Sequence, residues 1–187
     1  EMCIRDSSDT FNNKIILFFN EKHMSMIVER FNKIKSNIDK IKLVKPVNII
    51  AVSKTFPLSH VQPLINYGHI HFGENKVQEA VSKWIEIKKT NQKLKLHMIG
   101  KLQTNKVKNA FEIFDYIHSL DNQKLADVLE KNETNFDKKL KYFIQVNIGN
   151  EFQKSGIPAN DLDSFYNYCT IEKNLVSIWL MVIPPNV

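Results

Sequence analysis

The sequence predicts an α/β protein built on a parallel β-sheet. Apolar segments with strand character alternate with amphipathic segments of helical period, at about 25 to 30 residues per unit. The run at residues 47–52 shows almost no polar alternation, which is typical of a strand covered on both faces. With 187 residues and 43% hydrophobic content, the chain is long enough for one domain with its own core.

Each unit is justified by its own pattern. Ile27, Phe31 and Ile34 fall at helical spacing with lysines opposite, so a helix precedes the first strand. Asp121 is the expected N-cap of a later helix. We expect helices over about 26–41, 57–67, 75–89, 104–111, 121–132 and 160–169. We expect strands over about 47–52, 69–72, 94–99, 114–118, 142–148 and 175–183.

Two architectures are compatible with this alternation. A doubly wound sheet would place a glycine-rich phosphate loop after the first strand, but Ser53-Lys54-Thr55-Phe56 occupies that place. A (β/α)8 barrel tolerates such a loop, although six predicted strands are two fewer than the barrel needs. The patterns alone leave both open.

Composition favours a cytoplasmic protein. Two of the 26 basic residues are arginines, and the remaining 24 are lysines spread along the chain without a nucleic-acid-binding cluster. We expect these lysines to lie on solvated helix surfaces, as at Lys83, Lys88, Lys89 and Lys131. Cys3 and Cys169 lack zinc-ligand spacing. The apolar patch at residues 15–19 is too short to span a membrane.

Lys54 is the strongest candidate for chemistry, because it directly follows the first predicted strand. Side chains at the carboxyl ends of barrel strands point into the site. Partial burial there would disfavour the ammonium form and leave an amine able to form a Schiff base with an aldehyde. The alternative is that Lys54 is one more surface lysine.

Other polar residues follow the next two strands. Asn75 could bind a ligand or cap the following helix. His97 could act at the site or be a hydrogen-bonded histidine inside the barrel. Gln103, Asn105 and Lys106 could contact a ligand or form an ordinary polar helix start.

Four motifs together resemble one known family, the pyridoxal phosphate homeostasis proteins, also called proline synthetase co-transcribed homologues. Their order and spacing make the resemblance specific, and it covers about residues 26 to 185. The motifs are Ala51-Val52-Ser53-Lys54-Thr55, His71-Phe72-Gly73-Glu74-Asn75 with Val77-Gln78-Glu79, His97-Met98-Ile99-Gly100 with Leu102-Gln103-Thr104-Asn105-Lys106, and Lys154-Ser155-Gly156-Ile157.

The resemblance implies an α/β fold, a (β/α)8 TIM barrel of the alanine racemase N-terminal type, with about six of the eight units present. It implies pyridoxal 5′-phosphate bound covalently as a Schiff base on Lys54, with Asn75, His97 and Asn105 lining the cofactor site and no metal. It also implies a monomeric, non-catalytic protein that stores, delivers or buffers the cofactor, with apo-enzymes as candidate recipients and without specific nucleic-acid or membrane binding. The alternative is a racemase-like enzyme that uses the same cofactor on amino acids.

The sequence departs from the family in three places. Residues 1–23 read as a non-family extension or scar, and residues 24–187 as an incomplete barrel domain. The Gly-Met-Ser and Arg-Ile-Gly segments, which grip the cofactor phosphate in the family, do not occur before Val187. Trp179 stands where the family has glycine, which predicts overpacking that costs about 1 to 3 kcal/mol.

Overall fold

The structure is a computed structural model that describes residues 26–41, 47–149, 155–176 and 178–183. The predicted extension at residues 1–23 lies outside the described residues. The chain divides into two compact units, of which the first comprises Glu1–Ile49 and Leu58–His69 and the second comprises Ile50–Pro57 and Ile70–Val187.

The described part of the first unit contains two helices, α1 over residues 26–39 and α2 over Leu58–Asn66. Phe31 on α1 lies with its ring centroid 4.7 Å from that of His69 and 6.2 Å from that of Tyr67. The Tyr67 hydroxyl donates to Asn32 Oδ1 at 2.8 Å. The predicted first helix is therefore present, and its aromatic residue packs within the unit.

The second unit carries the sheet. Its strands are β1 (Ala51–Val52), β2 (His71–Glu74), β3 (Lys95–Met98), β4 (Tyr116–Leu120), β5 (Lys141–Asn147), β6 (Ile157–Pro158) and β7 (Ile178–Val182). Its helices are α3 (Val77–Thr90), α4 (Val107–Ile113, after a 3-10 turn at Thr104–Lys106), α5 (Gln123–Phe136) and α6 (Leu162–Asn167, after a 3-10 turn at Ala159–Asp161 and before a π turn at Tyr168–Glu172).

All strand pairs in this sheet are parallel, which confirms the predicted α/β class. The strands follow the order β1-β2-β3-β4-β5, and β7 pairs along β5. The two-residue β6, which begins at the last residue of the fourth motif, pairs with the carboxyl end of β5. Among the described residues β1 pairs with β2 alone and β7 with β5 alone, so the described part of the sheet is an open arc.

The sheet has two chemically different faces. On the first, Phe72 packs against Trp84 of α3 with ring centroids 4.9 Å apart, and both side chains are fully buried. The alternate residues, His71 and Gly73, face the other way, and His97 is in register with Gly73. We call this second side the histidine face. It places polar aromatic side chains where a parallel barrel has its interior.

Three sequence expectations about the sheet and helices are wrong. The first strand is shorter than residues 47–52, and Val47 and Val52 are about half exposed, because no described strand covers the outer edge of β1. The N-cap of α5 is Asn122, whose side chain accepts from the Leu125 N–H, whereas Asp121 accepts from the Asn122 amide. Trp179 is 44% exposed and stacks on Phe143 at 5.4 Å, so overpacking is not observed there.

Candidate functional site

The carboxyl ends of β1 and β2 bring Lys54 and Asn75 to the same edge. Val52 is in register with Gly73, and Lys54 and Asn75 each lie two residues further along their chains. Lys54 is exposed on a turn and Asn75 is half-buried. The partial burial predicted for Lys54 is not observed in the described residues, because β1 forms one end of the open arc.

Asn75 is held by close backbone packing rather than by a helix-capping role. The N-cap position of α3 is Lys76, which makes no side-chain capping bond. A Cβ placed on Gly100 would lie 2.4 Å from the Asn75 carbonyl oxygen, so only glycine lets the loop after β3 approach Asn75 this closely. The Ile99 N–H also donates to the Glu74 carbonyl at 2.9 Å. The loop after β2 and the loop after β3 are therefore held together at the sheet edge where Lys54 also lies.

His97 is the centre of a chain of three histidines on the histidine face. Its Nε2 lies 2.9 Å from His71 Nδ1, and its Nδ1 lies 2.9 Å from His118 Nε2. The Tyr116 ring stacks on His97 with centroids 4.1 Å apart, and Phe143 stacks on His118 at the same separation. Each pair of nitrogens shares one proton, so the tautomers of the three rings are linked.

Burial lowers the pKa of both outer histidines. Burial lowers the pKa of His118 to about 4. Burial also lowers the pKa of His71, with a further contribution from the Lys95 ammonium. His97 is in register with Gly73, two residues before Asn75, which is about 7 Å along a strand. His97 therefore lies one row of side chains below Lys54 and Asn75, and its contact with a cofactor stays a prediction.

Asn105 lies on the loop after β3, in the 3-10 turn Thr104–Lys106, and is exposed. The loop is anchored by the Leu102 N–H, which donates to Ser119 Oγ of β4 at 3.2 Å. Gln103 is exposed and Lys106 is partly buried. Asn105 thus borders the same edge of the sheet as Asn75, on the next loop, and its binding role stays a prediction.

A buried polar network behind Lys54 was missed by sequence reasoning. Glu74 is fully buried, and its Oε1 accepts from Ser53 Oγ at 2.7 Å, Lys83 Nζ at 2.8 Å and Trp84 Nε1 at 2.9 Å. The side chain of Lys83 is 8% exposed, so the prediction of a solvated surface is wrong for this residue. Glu74 sits within a recognised motif, but nothing in its local pattern shows that a lysine nine residues later returns to it.

The solvated-surface prediction also fails for Lys88, whose side chain is 18% exposed and whose Nζ lies 2.6 Å from Asp115 Oδ2. Both exceptions lie on α3, and each ammonium pairs with a carboxylate, the fully buried Glu74 for Lys83 and the partly buried Asp115 for Lys88. Lys89 and Lys131 are exposed, as predicted.

Neither a metal-ligand cluster nor a membrane-spanning helix is found among the described residues. No three or more histidine, cysteine, aspartate or glutamate side chains in the described part are placed to share a metal ion. None of the helices in that part combines the length and hydropathy that a membrane crossing requires.

Comparison with known proteins places this fold in a class. Residues 30–186 match the family model of the alanine racemase N-terminal domain. Alanine racemase from Clostridium difficile shares the fold, with a TM-score of 0.54 over 89% of this chain and 38% of that one, at 14% identity. The sheet with Lys54 at its carboxyl edge is therefore a barrel domain of the alanine racemase N-terminal class.

Relatives with higher identity narrow the class. A pyridoxal phosphate homeostasis protein of Pseudomonas aeruginosa is 33% identical over 166 residues, which cover 86% of this chain and 71% of the relative. That of Pasteurella multocida is 38% identical over 138 residues, or 74% of this chain and 59% of the relative. The chain belongs to the pyridoxal phosphate homeostasis protein family. It spans about three-fifths of the length of several curated relatives that it matches.

Solved structures agree with this assignment. PipY of Synechococcus elongatus without pyridoxal phosphate superposes with a TM-score of 0.72 and 34% identity, covering 85% of this chain and 71% of PipY. PipY with pyridoxal phosphate bound superposes with a TM-score of 0.70, also at 34% identity, covering 86% of this chain and 72% of PipY.

Proposed function

We propose that this chain binds pyridoxal 5′-phosphate as a Schiff base on Lys54 and serves in the homeostasis of that cofactor without turning over a substrate. The observation that carries the proposal is the placement of Lys54 and Asn75 at the same sheet edge, each two residues beyond the register pair Val52–Gly73. Support comes from PipY, a relative of known structure that is solved with pyridoxal phosphate bound.

The residues present fit the aldehyde end of the cofactor. When bound, pyridoxal phosphate would supply an aldehyde with which a neutral primary amine forms a Schiff base, the aldehyde oxygen and the two amine protons leaving as water. Lys54 provides the amine in an exposed position that a cofactor can reach. Asn75 and Asn105, on the loops after β2 and β3, provide amide groups that can donate or accept hydrogen bonds.

The phosphate end has fewer partners here. The two arginines, Arg5 and Arg30, both precede β1, so the loops of this site contain no bidentate guanidinium partner for a dianion. We therefore propose that Lys54 supplies most of the retention of the cofactor in this chain. Transfer to apo-enzymes, a monomeric state and a cytoplasmic location stay predictions of the sequence.

The test is to add pyridoxal phosphate to the purified chain, reduce with borohydride and map the labelled lysine by mass spectrometry. Label is expected mainly at Lys54. In the K54A variant the total label is expected to fall at least about 10-fold, because the nucleophile is gone. The matched control is K101A, which removes an exposed lysine from the neighbouring loop. Equal labelling of K54A and K101A would contradict the proposal.

The absence of turnover is tested with the same preparation. Incubation with L-alanine and pyridoxal phosphate is expected to yield no D-alanine above a protein-free control containing the same cofactor. Sustained formation of D-alanine that disappears in K54A would identify the chain as a racemase-like enzyme instead.

A further inference from the structure

The residue before Lys54 is fixed at three atoms. The Ser53 N–H donates to the Gly73 carbonyl at 2.9 Å, and Ser53 Oγ donates to Glu74 Oε1 at 2.7 Å. The Ser53 carbonyl accepts from Lys83 Nζ at 2.8 Å. Ser53 is 1% exposed. The backbone that enters Lys54 is therefore held by β2 and α3 together.

The residue after Lys54 is held by the same helix. The Thr55 N–H donates to Glu79 Oε1 at 2.8 Å, and this bond is the main reason that the pKa of Glu79 is lowered. Thr55 has φ of +65°, a left-handed conformation that a β-branched residue adopts only when its surroundings require it. The Phe56 N–H closes the turn on the Ser53 carbonyl at 3.2 Å.

Lys83 connects the contacts that hold Ser53 with the contact that holds Thr55. Its ammonium lies 2.8 Å from Glu74 Oε1, 3.4 Å from Glu79 Oε1 and 2.8 Å from the Ser53 carbonyl. One cation thus contacts the carboxylate that binds the Ser53 hydroxyl, the carboxylate that binds the Thr55 N–H, and the backbone of the turn itself.

The network is an expensive way to stabilise a fold. Burying an ion pair removes both ions from water, and a well-packed apolar substitute is often as stable. Here Glu74 is fully buried, and its Oε2 has no hydrogen-bond partner among the described residues. A buried polar network that costs desolvation energy and contacts the turn carrying Lys54 indicates that it positions this turn rather than stabilises the fold.

We propose that Lys83, acting with Glu74 and Glu79, is a positioning residue that holds the turn Ser53–Phe56 in a single conformation and so directs the Lys54 amine. This proposal rests on the proposed function, in which Lys54 bonds to the aldehyde of pyridoxal phosphate. Without the Lys83 ammonium, Thr55 can leave its left-handed conformation, and the Lys54 amine samples unproductive directions.

The test compares K83M with K88M. Lys88 lies on the same helix and also carries a partly buried ammonium, but it pairs with Asp115 and the Ile113 carbonyl, away from the turn. In K83M the rate of borohydride-trapped labelling at Lys54 is expected to fall about 10-fold, whereas K88M keeps the wild-type rate. Amide hydrogen exchange at Thr55 and Phe56, measured without cofactor, is expected to accelerate about 10-fold in K83M alone.

A second variant keeps the test decisive if K83M does not fold. K83M leaves the Glu74 charge without its cation, so K83M/E74Q removes both charges and keeps the shape of the buried side chain. It is expected to fold and to show the same faster exchange and slower labelling. Wild-type exchange at Thr55 and Phe56 in a folded K83M or K83M/E74Q protein would overturn the positioning role. Failure of wild-type protein to label at Lys54 would instead refute the proposed function. The amide hydrogen exchange at Thr55 and Phe56 would still decide whether Lys83 holds the turn.

Discussion

The G100A substitution is expected to lower the free energy of unfolding by about 3 kcal/mol and to weaken cofactor binding. A Cβ on Gly100 would lie 2.4 Å from the Asn75 carbonyl oxygen and 2.9 Å from its Cα. Both atoms belong to the backbone, so neither can rotate away. The strain must be relieved by moving the loop that carries Asn75. Urea unfolding and a pyridoxal phosphate titration measure the two effects.

The matched control is G73A, at the neighbouring glycine of the same site. A Cβ there would meet Ile99 Cδ1 at 3.1 Å and Ile50 Cγ2 at 3.2 Å. These are ends of side chains that can shift by a few tenths of an ångström, so a cost of about 1 kcal/mol is expected. If G100A is no less stable than G73A, the close approach of Gly100 to Asn75 is not a structural requirement.

Acidification is expected to destabilise the protein through the buried histidines. An unfolded histidine binds a proton near pH 6.5, whereas burial lowers the pKa of His118 in the fold to about 4. Between these values the unfolded chain binds more protons than the folded one, so the free energy of unfolding falls as the pH falls. Over this range His118 alone contributes a loss of about 3 kcal/mol, and His71, whose pKa burial also lowers, adds in the same direction.

The measurement is urea unfolding at several pH values between 7 and 4.5, on wild type and H118Q. H118Q is expected to lose about 2 kcal/mol less than wild type over this range, because its side chain does not titrate. H60Q removes an exposed histidine from α2 and leaves the buried chain intact, so it is expected to follow wild type. Identical pH profiles for H118Q and wild type would show that His118 is not buried as described.

Three carboxyl groups also contribute to the pH dependence of the free energy of unfolding. Burial raises the pKa of Glu133, so its contribution to stability increases as the pH falls and opposes that of the histidines. Glu79 and Asp127 have lowered pKa values, and their contributions are lost below the ordinary carboxyl range. All three groups are present in each variant, so the difference between H118Q and wild type isolates His118.

Local patterns account for what sequence reasoning predicted correctly. The predicted helices and most strands are present because 3.6-residue and continuous apolar patterns are written within each segment. The parallel sheet was predicted correctly, and the Val52–Gly73 register puts the segments that carry Lys54 and Asn75 at the same carboxyl edge, while their binding roles stay predictions. The length of β1 and the N-cap of α5 were predicted wrongly, since ends of elements depend on neighbouring strands and individual side-chain bonds.

Contacts between distant segments could not be predicted in this way. His71 and His97 are 26 residues apart and His97 and His118 are 21 apart, and only the stagger between neighbouring strands brings the three rings together. Lys83 read as one of many surface lysines, yet it reaches Ser53, 30 residues earlier. Such contacts depend on strand register and side-chain direction, which no local pattern encodes.

The sequence by itself determined that this protein is a parallel α/β domain with a lysine at the carboxyl end of its first strand, because apolar periodicity and motif spacing are local properties of the chain. The tertiary structure alone decided what surrounds that lysine. It placed an asparagine at the same sheet edge as Lys54, three linked histidines further down the histidine face and a buried Glu74–Lys83 pair against the turn, because those groups come from separate strands and a helix that meet only in the folded sheet.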